Sequence, residues 1–188
     1  DPAFGDSGAA ILDFQDAYAT WDEPLATFPA DDGGYWVIGL HRPDSGADRL
    51  AIGKLDANGQ ADLTFGDQGK TTADVAGVQI DAATMDGDRI YVAAVIRGNG
   101  ADFAISCLLV DGTPCAGFGM AGQVIVPFDV GGSHDDIANR IVVRDGSLYV
   151  SGDVSTDGSD GAWDLATGVA KLDAASGVLD AQFGNLSG

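Results

Sequence analysis

An all-β chain built from three similar four-stranded repeats is what this sequence predicts. Three observations carry that expectation. Turn-forming residues dominate the composition, apolar residues alternate at period two, and a Phe-Gly mark returns along the chain. The 188 residues hold 29 acidic and 9 basic side chains, for a formal charge of −20. All but one of the acids (Glu23) are Asp, Gly occurs 28 times and Lys only three times. Asp and Gly favour turns, whereas Glu and Lys favour helices. No stretch joins a 3.6-residue period to a cap and a stop, so no helix is predicted. At 45% hydrophobic residues there is material for a core, which argues against disorder. No apolar run reaches the roughly 20 residues that cross a bilayer, so membrane insertion is not expected. A surface this negative repels phosphate backbones, so nucleic acid is not expected as a partner either.

The repeat is read from its marks. Phe4-Gly5, Phe65-Gly66, Phe118-Gly119 and Phe183-Gly184 are spaced by 61, 53 and 65 residues. Each is followed by a polar-glycine step such as Asp6-Ser7-Gly8 or Asp67-Gln68-Gly69, then by an alternating stretch such as Gln123 to Phe128. A second apolar stretch follows, clearest at Ile137 to Val143. A turn then opens an aromatic-rich strand: Asp32-Gly33-Gly34-Tyr35-Trp36-Val37, Asp86-Gly87-Asp88-Arg89-Ile90-Tyr91-Val92 and Asp145-Gly146-Ser147-Leu148-Tyr149-Val150. A last strand ends each copy, at Asp48–Asp56, Asp102–Asp111 and Asp164–Asp173. About four short strands in a period of 53 to 65 residues is the signature of a propeller blade. The repeats fall at 4–64, 65–117 and 118–182, and 183–188 begins a further one.

These residues resemble a known family. The order Asp-Gly-x-Leu/Ile-Tyr-Val, a Gly-rich loop, Asp-Phe-Ala-x-x-x-Leu-x-x-Asp-Gly and Phe-Gly-x-x-Gly is similar to the delta-60 repeat. The closest copy runs from Asp102-Phe103-Ala104 through Asp111-Gly112 to Phe118-Gly119. Arg49 stands where the family favours Phe, and Ala174-Ala175-Ser176-Gly177 replaces the Asp-Gly turn. The resemblance implies a β-propeller-like fold in a bacterial secreted or surface protein, and no shared catalytic residue.

Three blades are too few for a ring, which typically takes four to eight. The sequence therefore points to part of a larger or oligomeric ring. The missing blades would come from a longer polypeptide, from a second copy giving a six-bladed ring, or from another chain. The opening Asp1-Pro2, without Met, reads as a processed or trimmed end. Cys107 and Cys115 flank the turn Asp111-Gly112-Thr113-Pro114. They read either as a local disulfide or as unlinked thiols, with Cys107 a small core residue. With His41 and His134 far apart in sequence, zinc spacing is absent. High Asp, low Lys and the cysteine pair favour a secreted, periplasmic or cell-surface setting.

Candidate chemistry falls in the loops. Asp153, Asp157, Asp160 and Asp164 lie within 12 residues and offer oxygen ligands for calcium, though not at EF-hand spacing. Asp31-Asp32 and Asp44 with Asp48 invite the same reading more weakly. The competing reading makes all of them turn formers on a soluble surface. His134-Asp135-Asp136 could form an acid–base pair, and the Asp-Gly turns align it with Trp21-Asp22-Glu23. Trp21 and Trp163 are expected in loops as sugar-stacking candidates, Trp36 in the core, and His41 at an exposed turn. No nucleophile elbow and no phosphate-cradling loop is present in the sequence.

The first functional expectation is a non-catalytic secreted or cell-surface propeller that serves as scaffold or binding module. It is completed by a protein partner or by self-association. The alternatives are a calcium-dependent adhesin or glycan-binding module, and a subunit of an extracellular enzyme with acidic channel loops.

Overall fold

The computed structural model describes residues 1–14, 21–43, 46–77, 79–98, 100–157 and 163–184. Every regular element among them is a strand. In chain order these are β1 (Trp21–Pro29), β2 (Tyr35–Arg42), β3 (Arg49–Leu55), β4 (Lys70–Ala73), β5 (Gln79–Asp86) and β6 (Arg89–Arg97). They continue as β7 (Ala101–Leu109), β8 (Gln123–Val126), β9 (Ile137–Arg144), β10 (Ser147–Asp157) and β11 (Trp163–Asp173). They form three antiparallel sheets of order β1-β2-β3-β4, β5-β6-β7-β8 and β9-β10-β11, and none closes into a barrel. Among the described residues the first two carry the four strands expected of a repeat and the third carries three.

The chain divides into two compact units. Asp1–Val75 with Val110–Thr113 holds the first sheet, and Ala76–Leu109 with Pro114–Gly188 holds the other two. In the second unit one apolar cluster joins both sheets, with Tyr91, Phe103, Ile105, Phe118, Ile141, Leu148 and Leu172 inside it. In the first unit Ile38, Leu40, Leu50 and Ile52 are buried. Burying such side chains is worth roughly 1.5–3 kcal/mol each, which is what holds these small sheets together.

Local rules explain the turns. Asp145 (φ 49°) and Gly146 (φ 73°) are both left-handed, as a two-residue type I′ hairpin requires. The first hairpin is longer. Ala30 N–H donates to the Gly34 carbonyl around Asp31–Gly33, where the β9–β10 turn needs only two residues. Each first strand bulges once, at Leu25, Asp81 and Asn139, where pairing skips a residue.

The Phe-Gly mark has a steric cause. Gly5, Gly66 and Gly119 have φ of 59°, 52° and 51°. A Cβ there would lie 1.9, 2.1 and 2.0 Å from the carbonyl oxygens of Ala9, Lys70 and Gln123. Only glycine fits. The phenylalanine before the glycine meets the aromatic residue in the second strand of the repeat before it: Phe65 with Trp36, Phe118 with Tyr91 and Phe183 with Tyr149, at 5.0, 5.9 and 5.8 Å between ring centres.

Candidate functional site

Each repeat is tied across its last turn at one pair of positions, and the chemistry of the tie differs. In the first, the Lys54 ammonium lies 2.9 Å from the Asp62 carboxylate. In the second, Cys107 and Cys115 form a disulfide with Cα atoms 5.3 Å apart. In the third, Lys171 lies 2.8 Å from Asp180. The backbone shows that these positions are equivalent. Asp62, Cys115 and Asp180 each donate their N–H to the carbonyl of Lys54, Cys107 and Lys171, at 2.9, 2.9 and 2.8 Å. Each stands three residues before its Phe-Gly. The Thr64 hydroxyl and then Lys54 hold the Asp62 carboxyl down to about 2. Asp32 and then Asp62 hold the Lys54 ammonium up, and the Lys171–Asp180 pair shifts in the same two directions.

A second recurring device uses a carboxylate. Asp136, 2% exposed, accepts the Phe128 N–H on Oδ2 and the Ser155 N–H on Oδ1, both at 3.1 Å. Asp22 accepts the Phe14 N–H at 3.0 Å and meets His41 Nδ1 at 2.9 Å. In both cases the donor phenylalanine stands eight residues before the acid. Asp22 therefore corresponds to Asp136 and not to Asp135. The alignment on Asp-Gly turns slips by one because the first hairpin carries the extra residue. His41 is also not an exposed turn residue: it is 3% exposed inside β2 and held by Asp22. Trp36 is half-buried between Phe65 and the Lys54 ammonium.

Around the start of β7 the second unit gathers several titratable groups. The His134 carbonyl accepts the Ala101 N–H, and the Ala101 carbonyl accepts the Asp136 N–H. This seats His134, Asp135 and Asp136 beside Asp102. The His134 ring is exposed, has φ 56°, and lies 3.3 Å from Asp129. Burial, then the Asp129 and Asp136 carboxylates, raise the Asp102 carboxyl above its ordinary range. Asp102 and Asp129 were absent from the sequence-based candidates. Asp102 was visible there only as a repeat marker, because its acidity depends on neighbours far along the chain.

Trp21 and Asp22 belong to the first unit. Trp21 opens β1 rather than lying in a loop; it is 67% exposed, with the Arg42 guanidinium 5.7 Å from its ring. Trp163 likewise begins a strand, β11. The acidic stretch proposed for calcium is mostly strand as well, since Asp153 and Asp157 lie in β10 and Asp164 in β11. Asp153 accepts the Asn139 amide at 3.0 Å and Asp157 the Gly132 N–H at 2.7 Å. Asp160 lies outside the described residues. Four residues of strand separate Asp153 from Asp157 by roughly 13 Å. Among the described residues no three His, Cys, Asp or Glu side chains converge to hold a metal ion.

No protein-family model and no curated protein matches the chain. Two solved structures share part of its course, both variants of the Synechocystis apocarotenoid oxygenase, at 12% identity and TM-scores of 0.49 and 0.48. Each alignment covers 84% of this chain, which spans 37% of the oxygenase's length.

Proposed function

We propose that the chain is a non-catalytic, extracytoplasmic binding scaffold whose three repeats are propeller-like blades of the delta-60 type. One observation supports this most. Several of the groups that could carry chemistry recur as structural ties: Lys54–Asp62, Cys107–Cys115 and Lys171–Asp180 at one position, Asp22 and Asp136 at another. A carboxylate that accepts two main-chain N–H groups is held in place by them, and it has a structural reason to be there. The disulfide is compatible with an oxidising compartment. The formal charge of −20 suits a soluble particle that resists non-specific association.

The test is turnover by the purified chain against a panel of glycosides and esters, run beside a Asp102→Asn variant. Binding without turnover is the expected result. Turnover that disappears in the variant would establish an enzyme and end the scaffold reading.

A further inference from the structure

Within the second unit, one loop fastens the third sheet to the second. Phe128 to Asp136 leave β8, pass the end of β6 and the start of β7, and enter β9. Two main-chain bonds hold the loop there. The Ala101 N–H donates to the His134 carbonyl at 2.9 Å, and the Asp136 N–H donates to the Ala101 carbonyl at 2.6 Å. The approach leaves no room for a side chain on Gly100, where a Cβ would lie 2.1 Å from the His134 carbonyl oxygen. At the loop's start the Phe128 ring meets Phe103, 5.0 Å between centres. Asp129 (φ 42°) and His134 (φ 56°) are both left-handed without being glycine. Such conformations persist only where surrounding contacts impose them, so closure of this loop works against backbone strain.

The charges at this joint oppose closure as well. Lys54 and Cys107 are equivalent, so Arg49 and Asp102, each five residues earlier, are equivalent too. In the first repeat Arg49 Nε donates to Asp74 at 2.9 Å. In the second the same position is an acid set among acids. Burial, then the Asp129 carboxylate, then that of Asp136 raise the Asp102 carboxyl above its ordinary 3.8, and His134 pulls the other way. Among the described residues the other charged groups beside the loop are Asp135 within it, Arg97 and Asp157. Arg97 follows Ile96, the β6 partner of Asp102. Asp157 of β10 accepts the Gly132 N–H at 2.7 Å.

We infer that Phe128–Asp136 is a proton-operated clasp, which tightens on the start of β7 when Asp102 takes up a proton and loosens when Asp102 gives it back. The closed loop places Asp102 among carboxylates and away from water. Opening the loop separates these groups, rehydrates Asp102 and returns its carboxyl towards 3.8. The closed form therefore holds the proton more tightly than the open one. Closure strengthens as pH falls through the raised value and gains nothing more from Asp102 below 3.8. This dependence has the opposite sign to that of Asp62, whose carboxyl is lowered. His134, 3.3 Å from Asp129, sets the limit of the effect, because a protonated imidazole favours the ionised Asp102. The device controls how firmly the third sheet is held to the second, whatever the chain binds.

The experiment uses the 188-residue chain. Amide hydrogen exchange is followed by NMR from about pH 7.5 down to about pH 4.5, each rate divided by that of an unstructured peptide at the same pH. Protection of the Ala101 and Asp136 amides is expected to rise severalfold as pH falls. That fold-rise reads directly how much more tightly the closed loop holds the proton. The Cys107 amide, which donates to the Gly122 carbonyl at 2.8 Å outside the loop, is expected to change far less. Asp102→Asn, uncharged throughout, is expected to show the high protection at every pH. Asp129→Asn, at an exposed side chain, is expected to shrink the rise, and it decides the matter if Asp102→Asn does not fold. A flat native profile, a rise that survives the substitution in full, or an equal rise at Cys107 overturns the proposal. Each of those results leaves the non-catalytic scaffold reading standing, because that reading falls only to turnover.

Discussion

Lys54→Cys with Asp62→Cys transplants the second repeat's disulfide into the first, and it tests whether the two ties occupy equivalent positions. The pair is eight residues apart, as Cys107 and Cys115 are. The hydrogen bond from residue 62 to residue 54 that frames the site is present at 2.9 Å, as its counterpart is. Closing a loop of eight or so residues removes roughly 2.5 kcal/mol of unfolded-state entropy. A unit of about 80 residues shifts by roughly 4–8 °C per kcal/mol, so the ceiling is about 20 °C. The lost Lys54–Asp62 pair, and the ammonium's contact with Trp36 at 5.3 Å, bring the expected rise below that ceiling. The assay is a thiol count and intact mass after refolding in air, followed by thermal unfolding with and without reductant. Two free thiols that persist under oxidising conditions would refute the equivalence. A bond that forms yet lowers the unfolding temperature would refute the energetic part of the reasoning.

Asp62 sets a pH dependence. Its folded pKa lies near 2, below the ordinary 3.8, so its contribution is present above pH 3.8 and lost as pH falls towards 2. Unfolding free energy should climb with pH through that window, and Asp62→Asn should flatten the climb in acid-unfolding curves. Asp136→Ala leaves two main-chain N–H groups without their acceptor and is expected to cost roughly 2–4 kcal/mol in denaturant unfolding. The more exposed Asp22 should cost less when replaced in the same way. Excess chelator is expected to leave the melting temperature within about 1 °C, because a bound ion would stabilise the native state by mass action. A fall of several degrees, reversed by calcium, would restore the adhesin reading.

Much of the strand order was legible because period-two alternation and Asp-Gly turns act locally. The Phe-Gly spacing was legible because its glycine is fixed by contacts within five residues, at Gly5–Ala9, Gly66–Lys70 and Gly119–Gln123. The errors lie where partners come from further away. His41 looked like an exposed turn residue beside Arg42-Pro43, but pairing with Arg49 and Asp22 carries the strand past it. The Asp153–Asp164 stretch looked like a loop because Asp and Gly form turns, yet eleven residue pairs join β10 to β11 from Ser147 to Asp173. The equivalence of Lys54–Asp62 with Cys107–Cys115 was hidden by the change of chemistry. A signal was present in the chain: each second partner stands three residues before a Phe-Gly.

Burial explains why one position accepts two kinds of tie. The Cys107 and Cys115 residues are 0% and 2% exposed, inside the cluster that joins the second and third sheets. The ionic ties reach solvent: the Lys54 and Asp62 side chains are 16% and 17% exposed, and those of Lys171 and Asp180 are 26% and 33%. An ion pair withdrawn fully from water loses several kcal/mol of hydration per ion before its attraction is counted. A disulfide carries no charge and has no such cost. Cys107→Lys with Cys115→Asp is therefore expected to destabilise the second unit more than Cys107→Ala with Cys115→Ala, although it recreates a pair that the other two repeats use. The alanine variant loses roughly 2.5 kcal/mol of loop closure together with two sulfur contacts. The charged variant loses the same and must bury two ions among Tyr91, Phe118 and Leu172. Urea unfolding of the two variants side by side decides the point. If the charged pair is as stable as the alanine pair or more so, burial does not select the tie.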